Sequence, residues 1–355
     1  MKIIHCADIH LGSKLESKFT KDKSDLRKKE VLNTFSRMID YANDNGIKII
    51  IFSGDVFDKD KPATKDKEFF YKAIKKNPDI DFLYLNGNHD KEGSYVETDI
   101  ENLKIFDKEN FTSYFYDNNL CISGIEMDQT NAKSFYSQLS LDKSKLNIVM
   151  LHGDVTDSMG MDKIKIDALK NKGIDYLALG HIHSYKSGKI DDRGIYAFSG
   201  CLEGRGFDEC GEKGFIVLDV TDKITHKFVP FSSRTIHEIY VDITGASDLY
   251  DTKDKVLEAV KDIDKKDILR VNLTGEISVD NDFDEKDIET QLSSFFFVNV
   301  KNKTTVKIDV KDYEDDKSLI GEFVRGVYSN NEYSDEEKQK IVTMGLRLMN
   351  GKEAE

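Results

Sequence analysis

Three polar side chains with complementary chemistry stand in a row at Asn88, His89 and Asp90, directly after Gly87. They follow an apolar run at residues 82–85 that predicts a buried strand, and the glycine permits a sharp turn where that strand ends. The amide oxygen can bind a metal ion, the imidazole can donate a proton, and the carboxylate can orient the imidazole. Taken alone, the same residues also fit a turn held by side-chain hydrogen bonds.

Polar residues end four other apolar runs in the same way, at residues 3–7, 47–52, 147–151 and 176–179. The residues that follow these runs are Asp8, His10, Asp55, His152, His181 and His183. Side chains two positions apart in an extended chain project to the same side, which pairs the first two residues of this set and the last two. For the first pair alone, a capping aspartate beside a surface histidine remains the alternative. Five of the eight histidines lie at these predicted strand ends, so chance placement explains the pattern poorly.

Seven of these side chains carry oxygen or nitrogen atoms that bind divalent metals: Asp8, His10, Asp55, Asn88, His152, His181 and His183. Seven ligands are too many for one tetrahedral zinc ion. They suit two divalent ions about 3.5–4 Å apart with one carboxylate between them. Mixed nitrogen and oxygen ligands favour Mn²⁺, and Mg²⁺, Fe²⁺ or Zn²⁺ would also fit. Such a pair stabilises charge at phosphorus and activates water, so hydrolysis of a phosphate ester is the expected chemistry.

The elements that position these residues alternate between strand and helix. Helices are predicted between the apolar runs, at about residues 24–45, 64–76 and 96–107. The alternation predicts a largely parallel sheet, which places the strand ends and their polar residues at one edge. The expected fold class is therefore α/β.

Composition limits the classes of protein to which the chain can belong. A net charge of −14 over 355 residues argues against coating of nucleic acid by bulk charge. A local basic segment at residues 14–29 still offers Lys14 and Lys18 as candidate DNA contacts. No apolar run reaches the roughly 18 residues of a membrane span, and a strand predicted from residue 2 leaves no room for a signal peptide. The four scattered cysteines form no C-x-x-C pair, which indicates reduced thiols and a cytoplasmic location.

Together, the strand-end motifs resemble those of the calcineurin-like metallophosphoesterase superfamily: Asp8-x-His10, Gly54-Asp55, Gly87-Asn88-His89-Asp90, His152 and Gly180-His181-x-His183. Residues 5–12, residues 54–58 with Pro62, and residues 199–203 with 211–214 also resemble the SbcD-type DNA repair exonucleases. The resemblance covers roughly residues 1–220. It implies a four-layer α/β/β/α sandwich with a small α+β capping domain and C-terminal helices.

The resemblance also implies a role for each residue of the site. The first metal would be held by Asp8, His10 and His183. The second would be held by Asn88, His152 and His181, and Asp55 would bridge the two. His89 would protonate or stabilise the leaving oxygen, with Asp90 fixing its orientation. Asp58 departs from the pattern, because some relatives have histidine at that position.

Three regions are expected along the chain: a metallophosphoesterase domain at residues 1–230, an α+β capping domain at 231–312 and a helical segment at 313–355. In the first region, a glycine-rich stretch makes Arg205 and Lys213 candidate phosphate contacts, although ordinary turns explain the glycines equally well. In the last region, a capping box from Ser334 to Glu337 predicts a helix start. Apolar stripes at helical spacing predict two helices, through Leu319, Phe323 and Val327 and then Val342, Leu346 and Met349.

The resemblance as a whole implies an enzyme that cuts DNA. The resemblance implies a two-metal DNA phosphodiesterase, acting as a 3′–5′ double-strand exonuclease and as a single-strand or hairpin endonuclease in DNA repair. It also implies docking of the C-terminal helices on an SbcC-like coiled-coil ATPase, with packing on the protein's own domain as the alternative. A homodimer is left open. Two other functions remain: the same site acting on small phosphodiesters or nucleotides, and a non-catalytic scaffold for DNA ends or partners.

Overall fold

The computed structural model describes residues 1–15, 19–58, 62–89, 100–116, 119–277, 283–306 and 310–349. The chain divides into two compact units, Met1–Ile236 and His237–Glu355. Over the described residues, no helix is both long and apolar enough to span a bilayer.

The first unit alternates strands with helices. Its strands are, in chain order, β1 (Lys2–Cys6), β2 (Ile49–Ser53), β3 (Asp81–Leu85), β4 (Leu103–Ile105), β5 (Thr112–Tyr116), β6 (Leu120–Gly124), β7 (Leu146–His152), β8 (Asp154–Val155), β9 (Lys163–Ile164), β10 (Tyr176–Gly180), β11 (Lys186–Lys189), β12 (Ile195–Phe198), β13 (Gly214–Val220) and β14 (Ile224–Pro230). Its α-helices are α1 (Lys21–Asp44), α2 (Thr64–Lys75) and α3 (Phe135–Gln138), and a 3-10 helix covers Ile166–Leu169.

Two six-stranded sheets form from these strands. The first has the spatial order β14-β13-β1-β2-β3-β4, and the second has the order β11-β12-β10-β7-β6-β5. In the first sheet β1 to β4 run parallel, and in the second β6, β7, β10 and β12 run parallel. The carboxyl ends of the parallel strands therefore meet at one edge of each sheet, and the predicted site residues follow there.

The two sheets pack face to face around an apolar core. Ile51 and Leu83 of the first sheet share one buried cluster with Ile148 and Met150 of the second. Helices α1 and α2 cover the outer face of the first sheet, and α3 with the 3-10 helix packs on the outer face of the second. These layers form an α/β/β/α sandwich, so the predicted fold is confirmed.

One predicted helix is wrong over its described part. The sequence predicts a helix at residues 96–107, whereas Leu103–Ile105 forms strand β4. Leu103 pairs in parallel with Phe82, and the amide of Phe82 donates to the carbonyl oxygen of Asn102 at 2.8 Å. Pairing with β3 at the sheet edge satisfies the backbone groups of these residues. A helix of this length is only marginally stable by itself, so strand pairing is favoured over the predicted helix. Residues 96–99 lie outside the described residues.

The second unit combines a small sheet with helices. Its elements are β15 (Ile236–Asp242), α4 (Leu249–Ala259), β16 (Ile268–Thr274), β17 (Glu276–Ile277), α5 (Glu285–Gln291), β18 (Phe297–Asn302), β19 (Thr305–Val306), a 3-10 helix (Val310–Tyr313), α6 (Leu319–Ser329) and α7 (Asp335–Met349). The sheet has the order β15-β16-β18, and β16 runs parallel to β18. Val256 of α4 and Ile288 of α5 pack on Leu269 and Val271 of this sheet.

Helices α6 and α7 pack against each other around Val324, Val342 and Leu346. At the start of α7, the amide of Glu337 donates to Oγ of Ser334 at 3.3 Å, and the amide of Ser334 donates to the Glu337 carboxylate at 2.8 Å. The predicted capping box therefore forms, and it satisfies backbone donors that the helix itself cannot.

Candidate metal centre

The candidate site lies where the loops after β1, β2, β3, β7 and β10 meet. The loops after β1 and β2 are held together by their backbones, since the amide of Asp8 donates to the carbonyl oxygen of Gly54 and that of His10 to Asp55, each at 3.0 Å. Asp8 also connects the two sheets, because its carboxylate accepts from the amide of His181 at 2.9 and 3.1 Å. The site is thus fixed by backbone contacts as well as by side chains.

Four of the site residues have positive φ angles, a backbone conformation that is unfavourable for residues other than glycine. The φ angles of Asp8, His10, Asp55 and His181 are 51°, 50°, 53° and 100°. Positive φ is uncommon outside glycine and costs on the order of 1 kcal/mol or more per residue. Such angles persist when surrounding structure enforces them. The loops therefore hold these residues in an unfavourable backbone conformation that directs their side chains into the site.

Two glycines permit the close approach of neighbouring loops. A β-carbon on Gly54 would lie 2.2 Å from Nδ1 of His152, and one on Gly87 would lie 2.1 Å from Oδ1 of Asp55. Gly54 also has a φ of +94°, which glycine adopts without strain. The Gly-Asp and Gly-Asn-His motifs thus supply the space in which the site assembles.

The first group of ligand atoms belongs to Asp8, His10 and His183, whose candidate atoms lie within 4.8 Å of one another. Nε2 of His10 lies 3.2 Å from Nε2 of His183. Nδ1 of His183 lies 2.7 Å from Oε1 of Glu209, and Nδ1 of His10 lies 3.4 Å from Oδ1 of Asp58. Glu209 engages Nδ1 of His183, and the Nε2 atoms of both imidazoles face one point, as two ligands of one metal do.

The second group is formed by Asn88, His152 and His181. The amide oxygen of Asn88 lies 2.9 Å from Nε2 of His152 and 3.2 Å from Nδ1 of His181. Nδ1 of His152 lies 2.9 Å from the carbonyl oxygen of Ser53, so it is the nitrogen that carries the hydrogen and donates. A neutral His152 would then turn an acceptor toward another acceptor. That arrangement calls for a cation between them, and a metal ion fits it.

Asp55 lies between the two groups. Its Oδ2 is 3.5 Å from Nε2 of His152 and 3.9 Å from Nε2 of His10, while its Oδ1 accepts from the amide of His89 at 2.9 Å. Burial alone would raise the pKa of Asp55, but the hydrogen bond and charge of His152, with the charge of His10, hold it well below its usual range. An ionised carboxylate in this position can contact both metals of a pair.

The charge of Asp55 also acts on His152. Burial disfavours the charged imidazole, yet the hydrogen bond and charge of Asp55 raise the pKa of His152 to about 9. The positive charge of protonated His152 would then balance the negative charge of ionised Asp55 when no metal is bound. Metal binding must displace that proton, because a ligating imidazole is neutral.

His89 differs from the ligand set in being exposed. Its ring centroid lies 5.2 Å from that of His10, and its Nδ1 lies 3.3 Å from the carbonyl oxygen of Asp58. With Nδ1 turned to that carbonyl, Nε2 is the nitrogen that can hand a proton to a substrate. Asp90, the predicted orienting residue, lies outside the described residues, as does Lys18. Lys14 is exposed.

The two remaining predicted DNA contacts have protein partners. Lys213 is 2% exposed, and its ammonium donates to the carbonyl oxygen of His183 at 2.7 Å. The guanidinium of Arg205 donates to Asp58 at 3.0 Å and to Glu209 at 2.6 Å. These contacts argue against both predicted DNA contacts, since a buried or doubly paired cation has little to offer a phosphate. The prediction for Arg205 and Lys213 rests on their positive charge, and the sequence does not reveal that they are buried or paired.

Two carboxylates behind the ligands were not predicted as part of the site. Glu209 is 3% exposed and faces His183, and Asp58 faces His10. Burial would raise the pKa of Glu209, but hydrogen bonds from His183 and Arg205 hold it well below its usual range. Burial lowers the pKa of His183, but the hydrogen bond to Glu209 and the charges of Asp8 and Glu209 together raise it above its usual value. The only sequence signal was an acidic residue within a glycine-rich stretch, which gives no indication of a contact 26 residues away.

Converging carboxylate, amide and imidazole atoms at the edge of an α/β/β/α sandwich define a class of metal-dependent phosphoesterase. Residues 1–185 match the calcineurin-like phosphoesterase family, and the chain belongs to that family. Members bind two divalent metal ions, and this chain is a metal-dependent phosphodiesterase.

Individual relatives match almost the whole chain. The DNA double-strand break repair protein Mre11 of Sulfolobus acidocaldarius is 26% identical, over 96% of this chain and 94% of that protein. The SbcD component of the nuclease SbcCD from Staphylococcus epidermidis is 25% identical, over 92% of this chain and 93% of that protein. The similarity therefore extends beyond the metallophosphoesterase region into the second unit.

Proposed function

We propose that this chain is a two-metal DNA phosphodiesterase of the cytoplasm, acting in repair as a 3′–5′ double-strand exonuclease and as a single-strand or hairpin endonuclease. One observation carries the catalytic part: Oδ2 of Asp55 lies 3.5 Å from Nε2 of His152 and 3.9 Å from Nε2 of His10, between two groups of converging ligand atoms. DNA as substrate is supported by one relative named as a DNA double-strand break repair protein and another named as a nuclease subunit, each matching more than nine-tenths of the chain.

Different residues of the chain have separate roles in the proposed phosphodiester hydrolysis. The proposed ligands are Asp8, His10 and His183 for one ion and Asn88, His152 and His181 for the other, with Asp55 shared. Two bound ions, most favourably Mn²⁺ for this mixed set, supply charge that stabilises the transition state and activates water. His89, exposed beside His10, donates a proton to the leaving oxygen.

Docking on an SbcC-like coiled-coil ATPase is the second part of the proposal. The predicted apolar stripes are only partly available for it, because Val342 and Leu346 pack against Val324 between α6 and α7. Of the predicted stripe residues, Leu319 and Met349 are 72% and 41% exposed, and the unpredicted Met344 and Leu348 are 50% and 56% exposed. Met344 and Leu348 lie one turn apart on α7 and form a single face. We assign the contact with the ATPase to this outer face of α7.

Digestion of end-labelled DNA tests the substrate. Duplex and hairpin DNA and bis-p-nitrophenyl phosphate are incubated in parallel with the wild-type protein and Mn²⁺, with the Asp55→Ala protein as the metal-deficient control. The proposal expects the wild-type protein to shorten the duplex and open the hairpin. Cleavage of the small diester alone would favour a small-substrate enzyme. DNA binding with no cleavage of any substrate would favour a scaffold.

A further inference from the structure

Arg205 lies behind the first group of proposed ligands and contacts both carboxylates found there. Its Nη1 donates to Oδ1 of Asp58 at 3.0 Å, and its Nη2 and Nε donate to Oε1 of Glu209 at 2.6 and 2.9 Å. The same two carboxylate oxygens face Nδ1 of His10 at 3.4 Å and Nδ1 of His183 at 2.7 Å. One guanidinium is therefore shared by two carboxylate–imidazole pairs.

Both carboxylate–imidazole pairs direct the Nε2 atom of the histidine to the same side. On the side away from Arg205, Nε2 of His10 and Nε2 of His183 lie 3.2 Å apart. A carboxylate that accepts from Nδ1 fixes both the tautomer and the ring orientation of a ligating histidine, as Glu209 does for His183. Asp58 approaches Nδ1 of His10 at 3.4 Å without a hydrogen bond, so it acts on that imidazole through its charge. Because both carboxylates bind one guanidinium, Arg205 links the positions of the two imidazoles.

A guanidinium suits this position better than an ammonium group would. Glu209 and Asp58 are 3% and 18% exposed, and two carboxylates held close together repel unless a cation separates them. Arginine has a planar fork of donors that can engage two acceptors in fixed directions, whereas lysine offers a single ammonium. The amide of Arg205 also donates to the second carboxylate oxygen of Glu209 at 2.7 Å, which fixes that side chain further.

The loop that carries Arg205 is anchored to a rigid helix. Arg27 of α1 is fully buried and donates to the carbonyl oxygen of Gly204 at 2.8 Å and to Glu203 at 3.0 Å. Glu203 also accepts from the hydroxyl of Thr34, again on α1, at 2.6 Å. These contacts hold the loop without involving any proposed metal ligand, as is needed for a residue that orients ligands.

We propose that Arg205 is a positioning residue for the first metal, which fixes the imidazoles of His10 and His183 through Asp58 and Glu209. The inference rests on the proposed two-metal site and deepens it. It assigns Arg205 to metal retention in place of DNA contact. The closer of the two carboxylates, Glu209, carries more of the effect than Asp58 because its contact with the imidazole is shorter.

Metal titration tests this assignment with a readout other than activity. Arg205→Lys, Glu209→Gln and Asp58→Asn proteins are titrated with Mn²⁺ by calorimetry and by electron paramagnetic resonance, beside wild type. Arg193→Lys is the matched control, since Arg193 pairs with Asp175 at 2.7 Å and with backbone carbonyl groups, and touches no proposed ligand. Melting temperatures in EDTA report whether each variant folds.

The expected result is selective loss of one site. Arg205→Lys should weaken one of two Mn²⁺ sites roughly 10–100-fold and leave the other unchanged. Glu209→Gln should weaken the same site more than Asp58→Asn does, and Arg193→Lys should match wild type. Adding Asp58→Asn to Arg205→Lys should cost less than the sum of the two separate effects, because both act through one network.

Other outcomes overturn the inference. Two Mn²⁺ sites of wild-type affinity in Arg205→Lys would do so, as would equal weakening of both sites with a lowered melting temperature in EDTA. If the Arg205→Lys protein binds DNA more weakly in EDTA but keeps its metal affinity, Arg205 contacts DNA and is not a positioning residue for the metal. If Arg205→Lys does not fold, Glu209→Gln decides by the same criteria. A wild-type protein that binds fewer than two ions would refute the proposed metal site itself, which distinguishes that failure from this one.

Discussion

The amide oxygen of Asn88 lies 2.9 Å from Nε2 of His152, although Nδ1 of the same imidazole already donates to the carbonyl oxygen of Ser53. Two acceptors at hydrogen-bond distance repel unless a proton or a metal ion lies between them. Asn88 lies in the loop after β3 and His152 ends β7, so strands from different sheets provide the two sides of this contact. A proton on Nε2 of His152 or a metal ion satisfies this contact, and a bound metal would take the place of the proton.

Asp55→Ala should empty both metal sites, because the carboxylate of Asp55 lies between Nε2 of His152 and Nε2 of His10. Elemental analysis after dialysis against Mn²⁺ should fall from two ions per chain toward none. Asp81→Ala is the control, since Asp81 pairs with Lys104 at the start of β3 and touches no ligand. Two ions per chain in the Asp55→Ala protein would contradict the shared role of Asp55.

His89→Asn should separate chemistry from binding. The variant should keep both metals and its affinity for DNA, since the amide of residue 89, not its ring, holds Asp55. Cleavage should slow by at least about 10²-fold, as expected when a general acid is removed. Single-turnover digestion of labelled duplex, run with metal analysis, measures both quantities. Wild-type cleavage by this variant would show that His89 is structural.

The pH dependence of stability should change sign with metal. The pKa of His152 is raised from 6.5 to about 9 by Asp55. In EDTA, the stability from this pair is therefore complete below pH 6.5 and is lost as pH rises through about 9. With Mn²⁺, stability should rise over the same interval, because the metal binds neutral His152. Melting temperatures from pH 6.5 to 9 under argon test this, and parallel slopes in EDTA and Mn²⁺ would contradict it.

The outer face of α7 should be separable from its inner face. Met344→Asp with Leu348→Asp should leave the melting temperature nearly unchanged, because both residues are exposed, and should abolish co-purification with the ATPase. Val342→Asp should instead destabilise the helix pair by on the order of 3 kcal/mol or more, since it buries an unpaired charge. Tight binding by the folded double variant would refute docking through this face.

The strand-end residues could be predicted from sequence because parallel strands bring their carboxyl ends to one edge. Asp8, Asp55 and His152 each follow a buried run, so topology alone draws them together. The network around Arg205 could not be predicted in this way, because irregular loops carry no periodicity. Strand β4 was missed for a related reason: three residues are too few for a pattern, and the edge of the sheet decides their conformation.

Gly54 and Gly87 give no atom to a metal or to a substrate, yet a β-carbon on either would collide with His152 or Asp55 at little more than 2 Å. In a saturation mutagenesis screen, these two positions should tolerate as few amino acids as the proposed ligands do. Supplementing the medium with metal could rescue a weakened ligand, but it could not rescue a glycine variant, whose defect is lack of space. Rescue of the phenotype by added metal would therefore distinguish the ligand positions from the two glycine positions.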